Sequence, residues 1–140
     1  MTRSARLALM LAAVAPAAAC AQGAAVARPP GVTDSIIAVG QELFHGSAGC
    51  VRCHGDAGTG TDEGPRLTDA VWLRGDGSLA HIRKTVVHGV PKRESVSGVT
   101  MPIRGWQPLN DFQVDAVASY VWSISHPPRQ GPAPAPTRKD

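Results

Sequence analysis

Two cysteines three positions apart, followed at once by a histidine, constrain this 140-residue chain more than anything else in it. The segment Cys50-Val51-Arg52-Cys53-His54 reads C-x-x-C-H. On one helical turn both thiols can add across the two vinyl groups of a haem. The next residue, His54, is then carried under the iron as proximal ligand. A bare C-x-x-C would also suit a redox dithiol or half a zinc site. Against zinc, there is no second cysteine pair. Against a dithiol of the thioredoxin type, no alternation of strands and helices surrounds the motif.

A covalently held cofactor also answers a shortage in the composition. Apolar residues make up 43% of the chain but aromatic ones only 4%, while 15 Gly and 12 Pro limit long helices and large sheets. A folded part of about 90 residues buries a limited core and usually needs a staple, a metal or a cofactor. The formal net charge of +3 does not point to nucleic acid. Arg3, Arg6, Arg28, Arg129, Arg138 and Lys139 all lie in the flanks. Between Asp34 and His126 ten acidic residues outnumber eight basic ones, so a nucleic-acid partner is excluded.

The ends read as flanks of one domain. Residues 1–20 carry two arginines, then the apolar run Leu7 to Ala19, too short to span a bilayer, and read as a secretory signal. Ala19-Cys20-Ala21 fits a small-x-small cleavage site that would discard Cys20. The alternative is Ala17-Ala18-Ala19-Cys20 as a weak lipoprotein box, which would lipidate Cys20 and tether the protein to a membrane. Residues 21–33 are expected to form a flexible linker, 34–126 the folded domain, and 127–140 a Pro-rich disordered tail.

Counting nearly decides the second iron ligand. Met1 and Met10 fall in the leader, leaving Met101, followed by Pro102, in an irregular stretch from Ser95 to Gly105. A lone methionine is often a core filler. Beside C-x-x-C-H it is also the expected sixth ligand. The competing ligands are histidines. A helix is predicted over Ser78 to His88, capped by Ser78, with Leu79, Ile82 and Val86 as its apolar stripe; His81 and His88 project away beside Lys84. His45 is too close to the attachment site, and His126 ends the last helix. A first helix is predicted from Asp34 to Phe44 with Ile36, Gly40, Leu43 and Phe44 on one face. A last helix is predicted from Asp111 to Ser125, capped by Asn110, with Val117, Tyr120, Val121 and Ile124 as its stripe. Gly40 inside a helix costs about 1 kcal/mol against Ala, and close approach of the last helix would explain it.

Over residues 34–126 the chain resembles class I cytochromes c. The residues that carry the resemblance are Gly40 and Phe44, Cys50-Val51-Arg52-Cys53-His54, Gly64-Pro65-Arg66-Leu67, Met101-Pro102, and Val117-Ala118-Ser119-Tyr120. It implies an all-α fold of three to five helices wrapped around one covalently bound haem. It also implies that the first and last helices cross near Gly40 and Tyr120, and that the Pro65 carbonyl accepts the Nδ1–H of His54. Leu67 to Leu73 and Gly105-Trp106 look most like haem c domains of bacterial oxidases and membrane dehydrogenases. The lysine ring of the mitochondrial type is missing; Arg83, Lys84, Lys92 and Arg93 are the candidates for a small docking patch.

The expected function is a periplasmic electron carrier whose single haem c cycles between Fe(II) and Fe(III). With His54 and Met101 both bound, no position is open for substrate, so the chain is not expected to be an enzyme. The alternative is a dedicated redox subunit of a dehydrogenase or oxidase complex. A third reading, an open-iron enzyme or gas sensor, requires Met101 to leave the iron, with Arg104 as its only nearby candidate partner. In each case the partners are redox proteins.

Overall fold

The computed structural model describes residues 26–127. The expected secretory signal, Cys20, the first part of the expected linker and almost all of the Pro-rich tail lie outside them. Four α-helices carry the fold: α1 (Asp34–His45), α2 (Val51–His54), α3 (Leu79–His88) and α4 (Asp111–Ser125), with a 3-10 turn at Lys92–Glu94 between the last two. Among the described residues no helix is long and apolar enough to cross a membrane.

Each long helix is started by a side chain that satisfies an orphan backbone N–H. Thr33 accepts from the Ile36 amide, Ser78 from that of His81, and Asn110 from that of Gln113. At Asn110 the exchange is reciprocal, because the Gln113 side chain accepts from the Asn110 amide. The predicted caps at Ser78 and Asn110 therefore stand where the sequence puts them. The first helix runs one residue past its expected end, to His45.

α4 is the spine. It packs across α1 and against α3, and residues Val114 and Ala116 to Trp122 are all buried. A single apolar stripe understates this helix, because it is enclosed by α1, by α3 and by the loops that build the cleft described below. On α1 it is Ile37, rather than the expected Ile36, that packs on the core cluster with Leu43 and Phe44. Ile36 lies in an outer groove with Leu79, Arg83 and Asp115. The α1–α4 crossing falls at Gly40. A Cβ built there would stand 1.9 Å from the Ala116 carbonyl oxygen and 2.9 Å from Tyr120 Cβ. Gly40 is thus required by close approach.

His45 ties the end of α1 to the turn after α2. Its Nδ1 lies 2.8 Å from the Gln41 carbonyl and its Nε2 2.8 Å from the Asp56 carbonyl. Two carbonyls can only accept, so both ring nitrogens must donate and the imidazolium is favoured. These bonds, the one to Gln41 first, raise the His45 pKa above its usual 6.5, helped by the Asp56 carboxylate and opposed by burial. A raised pKa contributes stability that is complete below the unfolded value and fades as pH rises through the folded one. The thermal-midpoint gap between the natural protein and His45→Gln should therefore narrow as pH is raised from about 6 upward. A gap independent of pH would contradict the doubly bonded imidazolium.

Candidate functional site

The attachment motif is a single helical turn. Cys50 has helical backbone angles, and the His54 amide donates to the Cys50 carbonyl at 2.9 Å. Cys50 and Cys53 are not joined in a disulfide. Burial pushes the Cys50 thiol up to about 11. Cys53 is raised too, by burial and then by the Glu63 carboxylate, whose Oε2 lies 3.7 Å from the sulfur. A nucleophilic redox dithiol needs a depressed pKa, so the local electrostatics run against that reading.

His54 is buried, and its Nδ1 lies 2.8 Å from the Pro65 carbonyl oxygen. A carbonyl accepts only, so Nδ1 carries the hydrogen and Nε2 keeps its lone pair. Burial, partly offset by the bond to Pro65, lowers the His54 pKa and holds the ring neutral. A neutral imidazole with a fixed tautomer is the form that ligates a metal. Gly64 permits this contact. A Cβ there would stand 2.8 Å from the Cys53 carbonyl oxygen and 2.9 Å from Cys53 Cβ. The Gly64-Pro65 segment can therefore lie directly on the motif.

Met101 is half-buried and packs on the core cluster. Its backbone pairs with Val90 through two bonds of 3.0 and 2.9 Å, which anchor it next to the end of α3. Cys50, Cys53, His54, Pro65 and Met101 all line one cleft, together with Phe44, Ile82, Val86, Leu109, Val117 and Val121 from three helices and a loop. The structure thus brings together every site residue named from the sequence. The donor set, two thiols, a neutral imidazole and a thioether around an apolar cleft, fits a haem c.

Other expectations change. Arg83 does not join a patch with Lys84, Lys92 and Arg93. Its Nε donates to Asp115 of α4, and a second contact reaches Asp111. Arg83 is thus held to α4 while 41% of its side chain stays exposed. Arg104 is not a partner for a distal ligand either. Its guanidinium donates to the Leu109 carbonyl (2.9 Å) and to Asp111 (2.7 Å), and its amide to the Val86 carbonyl (2.9 Å). It adopts a positive φ of 57° while pinning the start of α4. The expected solvated His81 is exposed, but its Nδ1 lies 2.6 Å from Asp76, which also accepts from the Ser78 amide. Trp106 emerges as a wall of the cleft that sequence reasoning noted only by resemblance. It lies on Gly49, and the Arg52 guanidinium sits 5.3 Å from its ring centroid.

Comparison with known proteins agrees with this geometry. The family model "Cytochrome c" matches residues 37–125. The subunit CcoP of the cbb3-type cytochrome c oxidase of Rhodobacter capsulatus is 36% identical over 93 residues, covering 61% of this chain and 28% of that protein. The corresponding subunit FixP of Rhizobium etli is 32% identical over 102 residues, covering 71% of this chain and 34% of its own length. The chain thus spans about a third or less of these relatives. Among solved structures, a chain of the reducing HAO-like protein complex of Kuenenia stuttgartiensis superposes with a TM-score of 0.51 at 18% identity, over 73% of this chain and 47% of that one; this likeness concerns the fold alone. With a family model matched over residues 37–125, a span that reaches all four helices and the cleft between them, the chain belongs to the cytochrome c family, whose cofactor is haem c.

Proposed function

We propose that this protein is a periplasmic electron carrier with one haem c, held by thioether bonds to Cys50 and Cys53 and ligated axially by His54 and Met101. The observation that carries the reading is the convergence of those four side chains on one apolar cleft. When bound, a haem c supplies one-electron chemistry between Fe(II) and Fe(III). The chain's part is to hold, orient and shield. The Pro65 carbonyl fixes the His54 ring and raises its basicity. Ile82, Val86, Val117 and Val121 keep water from the cleft, and a thioether from Met101 favours Fe(II) and raises the potential. The periplasmic assignment is supported by the arginine-containing leader and its short apolar run. A membrane enters only if Cys20 is lipidated.

An optical spectrum of the purified protein tests this. A c-type spectrum in alkaline pyridine and a weak far-red sulfur-to-iron band in the ferric form are the expected result. Met101→His should remove that band. It should also lower the potential by a few tenths of a volt, within the ~0.8 V that axial ligands command. A c-type haem without the band in the unmutated protein would remove Met101 from the iron.

The second reading, a dedicated haem c subunit of an oxidase or dehydrogenase, is favoured by the relatives, which are named as subunits of cbb3-type oxidases. A permanent subunit would co-purify from its host with a larger complex. A free carrier would run as a small monomer, with electron-transfer rates that fall as salt rises.

A further inference from the structure

The ten residues between Val90 and Met101 form a loop whose neck is closed by the paired backbone bonds of those two residues. This loop is not held by its neck alone. Two side-chain ties connect it to the segment between His54 and α3, one on each side of Pro65. Ser97 Oγ donates to the Glu63 carbonyl at 2.7 Å. The Arg74 guanidinium reaches Glu94 twice, donating to the backbone carbonyl at 2.7 Å and to Oε2 at 3.4 Å. Ser95 Oγ, 3.0 Å from Ser97 Oγ, steadies the first of these. Glu63, Arg74, Glu94, Ser95, Val96 and Val99 all line the cleft, so the ties join two segments of its mouth. Val96 is 81% exposed and the loop packs little apolar surface on the rest of the chain, so within the protein these polar ties are what hold its tip.

We propose that Arg74 and Ser97 are positioning residues that strap the 91–100 loop across the cleft mouth, keeping Met101 on the iron and outside ligands off it. This rests on the Met101 ligation proposed above. Arg74 lines the cleft, but neither residue is among the proposed iron ligands. They act through the loop, because Met101 stands at its neck and cannot leave the cleft while the tip is fastened to the segment bearing Pro65. A guanidinium fork onto a carbonyl and a carboxylate is suited to such a fastening, since it fixes orientation as well as distance.

The test uses the full-length ferric protein with its haem, free cyanide as the probe, and the far-red band as the reporter of Met101. Ser97→Ala combined with Arg74→Gln should keep the band at neutral pH and bind cyanide at least about tenfold faster, a low bound for three lost hydrogen bonds, two of them from the charged guanidinium. Ser97→Thr, which keeps the hydroxyl, should bind cyanide at close to the natural rate. A merely structural role would lower the thermal midpoint by circular dichroism and leave the cyanide rate unchanged. Should the double variant not accumulate, Ser97→Ala alone is expected to give a several-fold rise. Natural cyanide rates in these variants, with the band present in the unmutated protein, would overturn the strap alone. Absence of the band from the unmutated protein would overturn the ligand reading, and the strap with it.

Discussion

Replacing Cys50 and Cys53 together by alanine should leave a chain without native circular dichroism and without a cooperative thermal transition. The reason lies in what the core is made of. Phe44, Ala48, Ile82, Val86, Leu109, Val117 and Val121 belong to the buried cluster, yet each also lines the cleft. Without a macrocycle to fill the cleft, these side chains lack a packing partner on their cleft side. Contact between elements of regular structure is concentrated at α1 on α4 and α3 on α4. The residues from Gly55 to Ser78 and from Gly89 to Asn110 contain only one 3-10 turn. Ordering each such residue costs roughly 1–2 kcal/mol of backbone entropy, and a domain of about 90 residues has little surplus burial to offset it. Thioether bonds at Cys50 and Cys53, as proposed, would keep the cofactor at a very high local concentration, so their loss would remove more than two contacts. A double variant that melts cooperatively would show that α1, α3 and α4 form a sufficient core by themselves.

What the sequence made legible is what has a local signature. The attachment turn, the caps Ser78 and Asn110, the end of α3 before Gly89 and the close approach at Gly40 each follow from a residue type at a defined spacing. Less legible was anything set by residues far apart along the chain. The pairing of Arg83 with Asp115 spans 32 positions, and that of Ser97 with the Glu63 carbonyl spans 34. Neither leaves a periodic trace, so Arg83 read as a free surface charge. The burial of α4 on nearly every side was hidden for a related reason. Ala116, Ala118 and Ser119 are small residues that a one-stripe pattern assigns to the surface, whereas here they let neighbouring elements come close. The φ of 57° at Arg104 could not be foreseen either, because a non-glycine residue in that region is held there by its partners.

The α1–α4 crossing gives the second large effect. Gly40→Ala should lower the thermal midpoint by on the order of 15 °C, against a general rule of helices. In an exposed helical position alanine is better than glycine by about 1 kcal/mol. At position 40 the new methyl would lie 1.9 Å from the Ala116 carbonyl oxygen and 2.5 Å from the Ala116 carbonyl carbon. Both are backbone atoms, so no rotamer change relieves the contact and the two helices must separate. Overpacking of a close-packed core typically costs about 1–3 kcal/mol and sometimes more, and a clash this short with rigid backbone belongs at the upper end. A net loss of about 3 kcal/mol corresponds to the stated shift for a domain of this size. Separation would also disturb the edge-on packing of Phe44 against Tyr120, whose ring centroids lie 5.2 Å apart, and Phe44 lines the cleft. The far-red band should therefore weaken at temperatures below the midpoint. Ala38→Gly, on the exposed side of the same helix, is the control: it should cost no more than about 1 kcal/mol and leave the band unchanged. If Gly40→Ala proved neutral or stabilising, the crossing would not be as tight as described, and the glycine would be a tolerated residue rather than a required one.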